Sequence, residues 1–115
     1  MDMPRDAELL RIFIGERDKH KGRPLYEVIT EQARAFGLAG CTVLRGILGF
    51  GAASRIHSSK ILRLSVDLPL VVEIVDAPEK IEAFLPRIDG IIGDGLITLE
   101  KVRVISYRFG KNVKS

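Results

Sequence analysis

Arg55 and His57 stand two residues apart, and Lys60 follows three residues later, in a polar stretch behind Gly46, Gly49 and Gly51. In an extended segment, residues two apart share a side. A guanidinium and an imidazole at that spacing can grip a phosphate or a carboxylate; exposed loop residues without a role fit the same pattern. A second basic cluster, Lys19, His20, Lys21 and Arg23 around Gly22, precedes a helix start. Backbone N–H groups and the dipole at a helix N-terminus attract anions, although Pro24 withdraws one donor and a solvated charged loop is the commoner outcome. The glycine series has no following Gly-Lys-Ser/Thr and opens no helix, so it is neither a nucleotide P-loop nor a dinucleotide fingerprint. Its simplest role is a bend that launches a loop; close approach of Gly49 and Gly51 to a ligand is the sharper one. Arg45, on the strand before that bend, adds a further cation, and Tyr26 offers an aromatic surface for a base.

No serine or cysteine stands beside an evident base, and no carboxylate pair suggests acid–base chemistry. No catalytic residue is therefore assigned. Were the protein an enzyme, His57 and Glu16 would be the first groups to test for a perturbed pKa. Two histidines and one cysteine, widely separated, give no metal-ligand spacing, and no metal or obligatory cofactor is expected.

The 115 residues suit one domain, with 46% apolar and 29% charged side chains. A net charge of +3 is too small to argue for nucleic acid. Cys41, the lone cysteine, allows no intrachain disulfide and reads as a small core residue. No apolar run is long enough to span a bilayer, and the first residues lack a signal-like apolar core. The expected location is the cytoplasm.

Residues 9–15 alternate as a strand. From Pro24, Leu25, Val28, Ile29, Ala33 and Phe36 recur at helical spacing, with Gly37 as a stop. Residues 40–48 read as a second strand, placing Cys41, Val43, Arg45 and Ile47 on one face. After the 49–60 loop, residues 61–66 and 70–75 read as strand, with Pro69 marking an edge or a bulge. Asp76 and Glu79 read as a capping box. Ile81, Phe84, Leu85 and Ile88 form the next helical stripe, which Pro86 should kink or end early. Residues 96–109 read as a long last strand. The domain is set at 7–109, with flexible termini at 1–6 and 110–115.

The order is β-α-β-β-α-β, an α+β, ferredoxin-like arrangement: a four-stranded antiparallel sheet with two helices on one face. The other face must meet water or a partner. Arg45, Glu73 and Arg11 are expected to form one cross-strand row on it, among Phe13, Val43, Ile47, Val71 and Val75. Apolar faces of this kind mark interfaces. Arg11, Phe13, Val43, Arg45 and Glu73 are thus the expected oligomer contacts, closing a ring of copies.

Gly15-Glu16-Arg17-Asp18-Lys19, Gly22-Arg23-Pro24-Leu25-Tyr26-Glu27, Thr42-Val43-Leu44-Arg45-Gly46-Ile47, Gly49-Phe50-Gly51, Arg55-Ile56-His57 and residues 68–76 together resemble an uncharacterised family of small PII-like proteins in the nitrogen-regulatory PII superfamily. The resemblance runs from Leu9 to Val104. It implies a ferredoxin-like homotrimer that binds adenine nucleotides in clefts between subunits and contacts a target protein through the loop after the second strand. Here that loop, residues 50–60, is shorter and holds no tyrosine, so nucleotidylylation is not implied. Lys101, Arg103 and Arg108 are the residues available for the family's basic C-terminal segment.

The leading expectation is a signalling protein that binds a small anionic ligand, an adenine nucleotide by resemblance. The ligand would meet Lys19, Lys21, Arg23, Tyr26, Arg45, Gly49, Gly51, Arg55, His57 and Lys60. Its target is an unknown protein, which could be a membrane protein, with no insertion of this chain itself. The alternatives are a small oligomeric enzyme and a ligand-independent adaptor. RNA binding ranks last, because Phe13, Tyr107 and Phe109 are the few sheet aromatics available and no RNP-like motif appears.

Overall fold

A computed structural model describes residues 3–51 and 67–109. Strand β1 (Asp6–Gly15) alternates, and Leu10, Ile12 and Ile14 are buried. A short hairpin follows, β2 (Lys19–His20) and β3 (Arg23–Pro24), then helix α1 (Leu25–Phe36). Next come β4 (Thr42–Arg45), β5 (Pro69–Asp76), α2 (Pro78–Asp89) and β6 (Leu96–Arg103). The main sheet has the order β4-β5-β1-β6, antiparallel throughout, which is the ferredoxin-like α+β arrangement.

The core lies between the sheet and the helices. Leu25, Val28, Ile29 and Ala33 of α1 are buried, as are Ile81, Phe84 and Ile88 of α2. Phe36 packs on Phe84 at a centroid distance of 5.5 Å, and the Arg87 guanidinium lies 4.9 Å from the Phe36 ring. Gly37 ends α1 in the left-handed region at φ 89°. Its N–H donates to Arg34 and that of Leu38 to Ala33, the paired bonds that close a helix C-terminus.

Several expectations need correction. The last strand stops at Arg103, not Phe109, because β1 begins at Asp6 and offers no partner further on; only Val104 N–H still reaches Arg5 O, at 2.7 Å. The second strand covers Thr42–Arg45 rather than residues 40–48. The strand expected at 61–66 lies outside the described residues. Pro69 is neither at an edge nor in a bulge: it is the first residue of an internal strand, where a missing N–H is tolerated. Pro86 does not end α2, which continues to Asp89; its ring is on the exposed side, where water can satisfy the carbonyl left without a donor.

Asp76 is not the N-cap of α2; Ala77 is, and no side chain caps it. Asp76 instead ends β5, 2% exposed, and its carboxylate accepts hydrogen bonds from Ala77 N–H at 2.7 Å and Ala39 N–H at 2.8 Å. It thereby fastens the α1–β4 connection to the start of α2. Lys80 reinforces the joint by donating to Gly37 O at 2.7 Å. Asp76→Ala would strand two backbone donors, so it should cost about 2–4 kcal/mol, read as a lower urea midpoint at unchanged m-value.

Candidate functional site

The register decides which side chains share a face. Arg11 is opposite Glu73, as expected, and the Arg11 Nε–Glu73 Oε2 distance is 2.9 Å. Glu100 of β6 joins the pair, 3.2 Å from Arg11 Nη1. The Glu73 hydrogen bond, with Glu100 assisting, pushes the Arg11 guanidinium further above its ordinary value. Arg45 does not belong to this row. Thr42 is opposite Glu73, and Arg45 is opposite Leu70, three residues away. An odd offset moves every side chain to the other face, so Val43 packs against the core and Thr42 and Leu44 take the open face. Leu9, Phe13, Val71, Val75, Leu44 and Leu96 surround the charged cluster on that face, with Leu96 56% and Leu44 48% exposed.

Arg45 instead donates to Glu16 at 2.5 Å. This contact joins β4 to the turn after β1, whose backbone N–H groups are engaged in turn, Asp18 N–H with Gly15 O at 3.2 Å among them. Gly15 N–H reaches Asp18 Oδ2 at 2.9 Å, Glu16 N–H reaches Leu68 O at 2.8 Å, and Arg17 N–H reaches Asp67 Oδ1 at 3.0 Å. Where the chain leaves β4, Gly46 N–H donates to Pro69 O at 2.8 Å. A Cβ on Gly46 would lie 2.9 Å from the Pro69 ring, and one on Gly49 3.2 Å. The glycine bend therefore serves close passage over a proline. Gly51 has open space around it.

The charged connection is a hairpin that the sequence reading missed. Lys21 at φ 52° and Gly22 at φ 81° form its turn, with two consecutive positive φ angles of the kind that hairpins favour. Lys-Gly between short extended pairs was the available signal. Arg23 is committed: it makes a two-pronged contact with Glu31 at 2.8 and 2.6 Å and lies 3.6 Å from Glu27. The Glu31 hydrogen bonds raise the Arg23 guanidinium above its ordinary value and hold the Glu31 carboxyl below its own. Lys19 and Lys21 are exposed, and among the described residues no carboxylate pairs with either. Tyr26 is half-buried against the core. Arg55, His57 and Lys60 lie outside the described residues, as does the loop beyond Gly51.

Lys19, Lys21, Arg45, Gly49 and Gly51 thus belong to segments meeting at the end of the sheet where β1 finishes and β5 begins. An anion there would find the lysines free, and Arg45 only by exchange with Glu16. At the opposite end, Asp6, Glu8, Lys101 and Arg103 line a groove of about 530 Å³ beside Pro78. Among the described residues, no three His, Cys, Asp or Glu side chains come together to hold a metal, and no helix is long and apolar enough to cross a membrane.

A family model described as DUF190, Uncharacterized ACR, matches residues 7–104. The chain belongs to the DUF190 family. Relatives of this DUF190 protein include a UPF0166 protein of Aquifex aeolicus, 47% identical over 98 residues, covering 85% of this chain and 92% of that one. A UPF0166 protein of Methanocaldococcus jannaschii is 36% identical over 99 residues, covering 85% and 91%. Among solved structures, CPII, a nitrogen regulatory PII-like protein from Thiomonas intermedia K12 bound to ADP, AMP and bicarbonate, superposes with a TM-score of 0.60 at 13% identity, covering 90% of this chain and 97% of that one. The DUF190 chain therefore has a PII-like fold, as the resemblance implied.

Cys41 is half-buried, with its thiol 3.8 Å from Thr30 Oγ1, and burial pushes the thiol above its ordinary value. Its alkylation rate should accordingly reach half-maximum above the pH of a free cysteine. Because the unfolded chain releases this proton first, folding stability should fall as pH rises through the ordinary thiol range. A pH–rate series with iodoacetamide and urea titrations across that range check both.

Proposed function

We propose that this DUF190 chain is a PII-type regulatory protein. Three copies pack through their open sheet faces, an adenine nucleotide binds between subunits, and residues 50–60 contact a target protein in the cytoplasm. The observation that carries the reading is the open face of a PII-like fold. It carries Leu9, Phe13, Val71 and Val75 around Arg11, Glu73 and Glu100, and among the described residues no helix covers it. The structural likeness to CPII with ADP and AMP supports a nucleotide as the ligand. The uncommitted Lys19 and Lys21 supply charge for phosphates. Arg55, His57 and Lys60, with Arg45 released from Glu16, are the further contacts this reading assigns. Ordering a loop residue costs roughly 1–2 kcal/mol, so nucleotide contact in the loop is what would change its affinity for a target. The function assigned is binding without turnover.

ADP at about one hundred times its Kd should stabilise the protein by about 2.7 kcal/mol, seen as a saturable rise in Tm. The nucleotide should be recovered unchanged by chromatography; its conversion would favour an enzyme. Arg55→Ala combined with His57→Ala should weaken ADP binding at least ~10-fold, the loss of one charge-assisted contact or more. Light scattering should give three chain masses for the protein and one for Phe13→Asp. A single mass for the unaltered protein at micromolar concentration sinks the assembly.

A further inference from the structure

We infer that residues 104–109 form a strap that closes one end of the open sheet face, and that a second copy of this chain docks there only when the strap lifts. The inference rests on the proposed assembly through that face. After β6 the chain turns across the sheet. Val104 N–H donates to Arg5 O at 2.7 Å, and the Tyr107 hydroxyl donates to Ala39 O at 3.3 Å. Because β6 and β4 are opposite edges, the segment spans the width of the sheet from Arg103 to the residues preceding β4.

It crosses on the uncovered side. A cavity of about 320 Å³ beneath it is lined by Cys41, Thr42, Glu73, Val75, Val104 and Tyr107, among others. The register places Thr42, Glu73 and Val75 on the open face. At this end Ala7, also on that face, is 2% exposed, whereas Leu9 and Phe13 further along are half-buried.

The strap is held lightly. One long side-chain hydrogen bond anchors Tyr107, and Tyr107 meets Phe109 edge-on at 5.8 Å. Ile105 and Phe109 remain 80% and 64% exposed. Sheets packed face to face stand about 10 Å apart, a layer their own side chains fill. A backbone segment and a second sheet cannot share it. Strap closure and docking of a second copy are therefore competing states, and loosening the strap must favour docking.

Full-length Tyr107→Ala and Tyr107→Phe test this by sedimentation velocity over a dilution series. The concentration for half-assembly should fall about fivefold in Tyr107→Ala and less in Tyr107→Phe, as a mostly closed state is relieved. Assembly that is unchanged or weaker overturns the strap and leaves the assembly standing. Chains that stay monomeric at every concentration overturn both.

Discussion

Strand β1 is paired along eight residue positions to β5 on one side and eight to β6 on the other. Everything else is placed relative to this double ladder. Its even-numbered residues Leu10, Ile12 and Ile14 fill the floor on which both helices lie. Its odd-numbered residues set the open face, with Arg11 at the middle between Glu73 and Glu100. A shift by one residue would send Arg11 into the core and Ile12 to the open side. The two faces therefore fix one register between them, and the ion cluster is a consequence of the apolar pattern rather than its cause.

Much of this was legible in the residues. The helical stripes of α1 and α2 appear in order because 3.6-residue periodicity is a local signal. The pairing of Arg11 with Glu73 followed from strand order alone. The position of Arg45 did not follow. β4 is only four residues long and exposed along much of its length, so its own pattern did not state where it meets β5. Asp76 shows a different limit. An aspartate before Ala-Pro-Glu looks like a cap, yet its second acceptor bond goes to Ala39, 37 positions earlier in the chain. No local pattern carries that information.

The candidate site was legible as residue types but not as commitments. Arg23 reads as a free cation in a basic cluster; in the fold, Glu27 and Glu31 occupy it from one turn apart on α1. Arg45 is likewise taken by Glu16. Among the described cations of the site, Lys19 and Lys21 remain uncommitted, and they sit on a hairpin whose turn geometry comes from Lys21 and Gly22. The effective charge of this end is therefore smaller than a count of its basic residues suggests, and ligand binding there competes with internal ion pairs.

The bond from Gly46 N–H to Pro69 O has an architectural consequence. It clasps together the two points where the chain leaves and re-enters the sheet, so their separation is fixed by the ladder itself. Closure entropy grows slowly with the length of a span, by about 0.6 kcal/mol per doubling. With its ends held in this way, the register of β4 on β5 tolerates a change in the number of residues between them: the scaffold is a fixed socket.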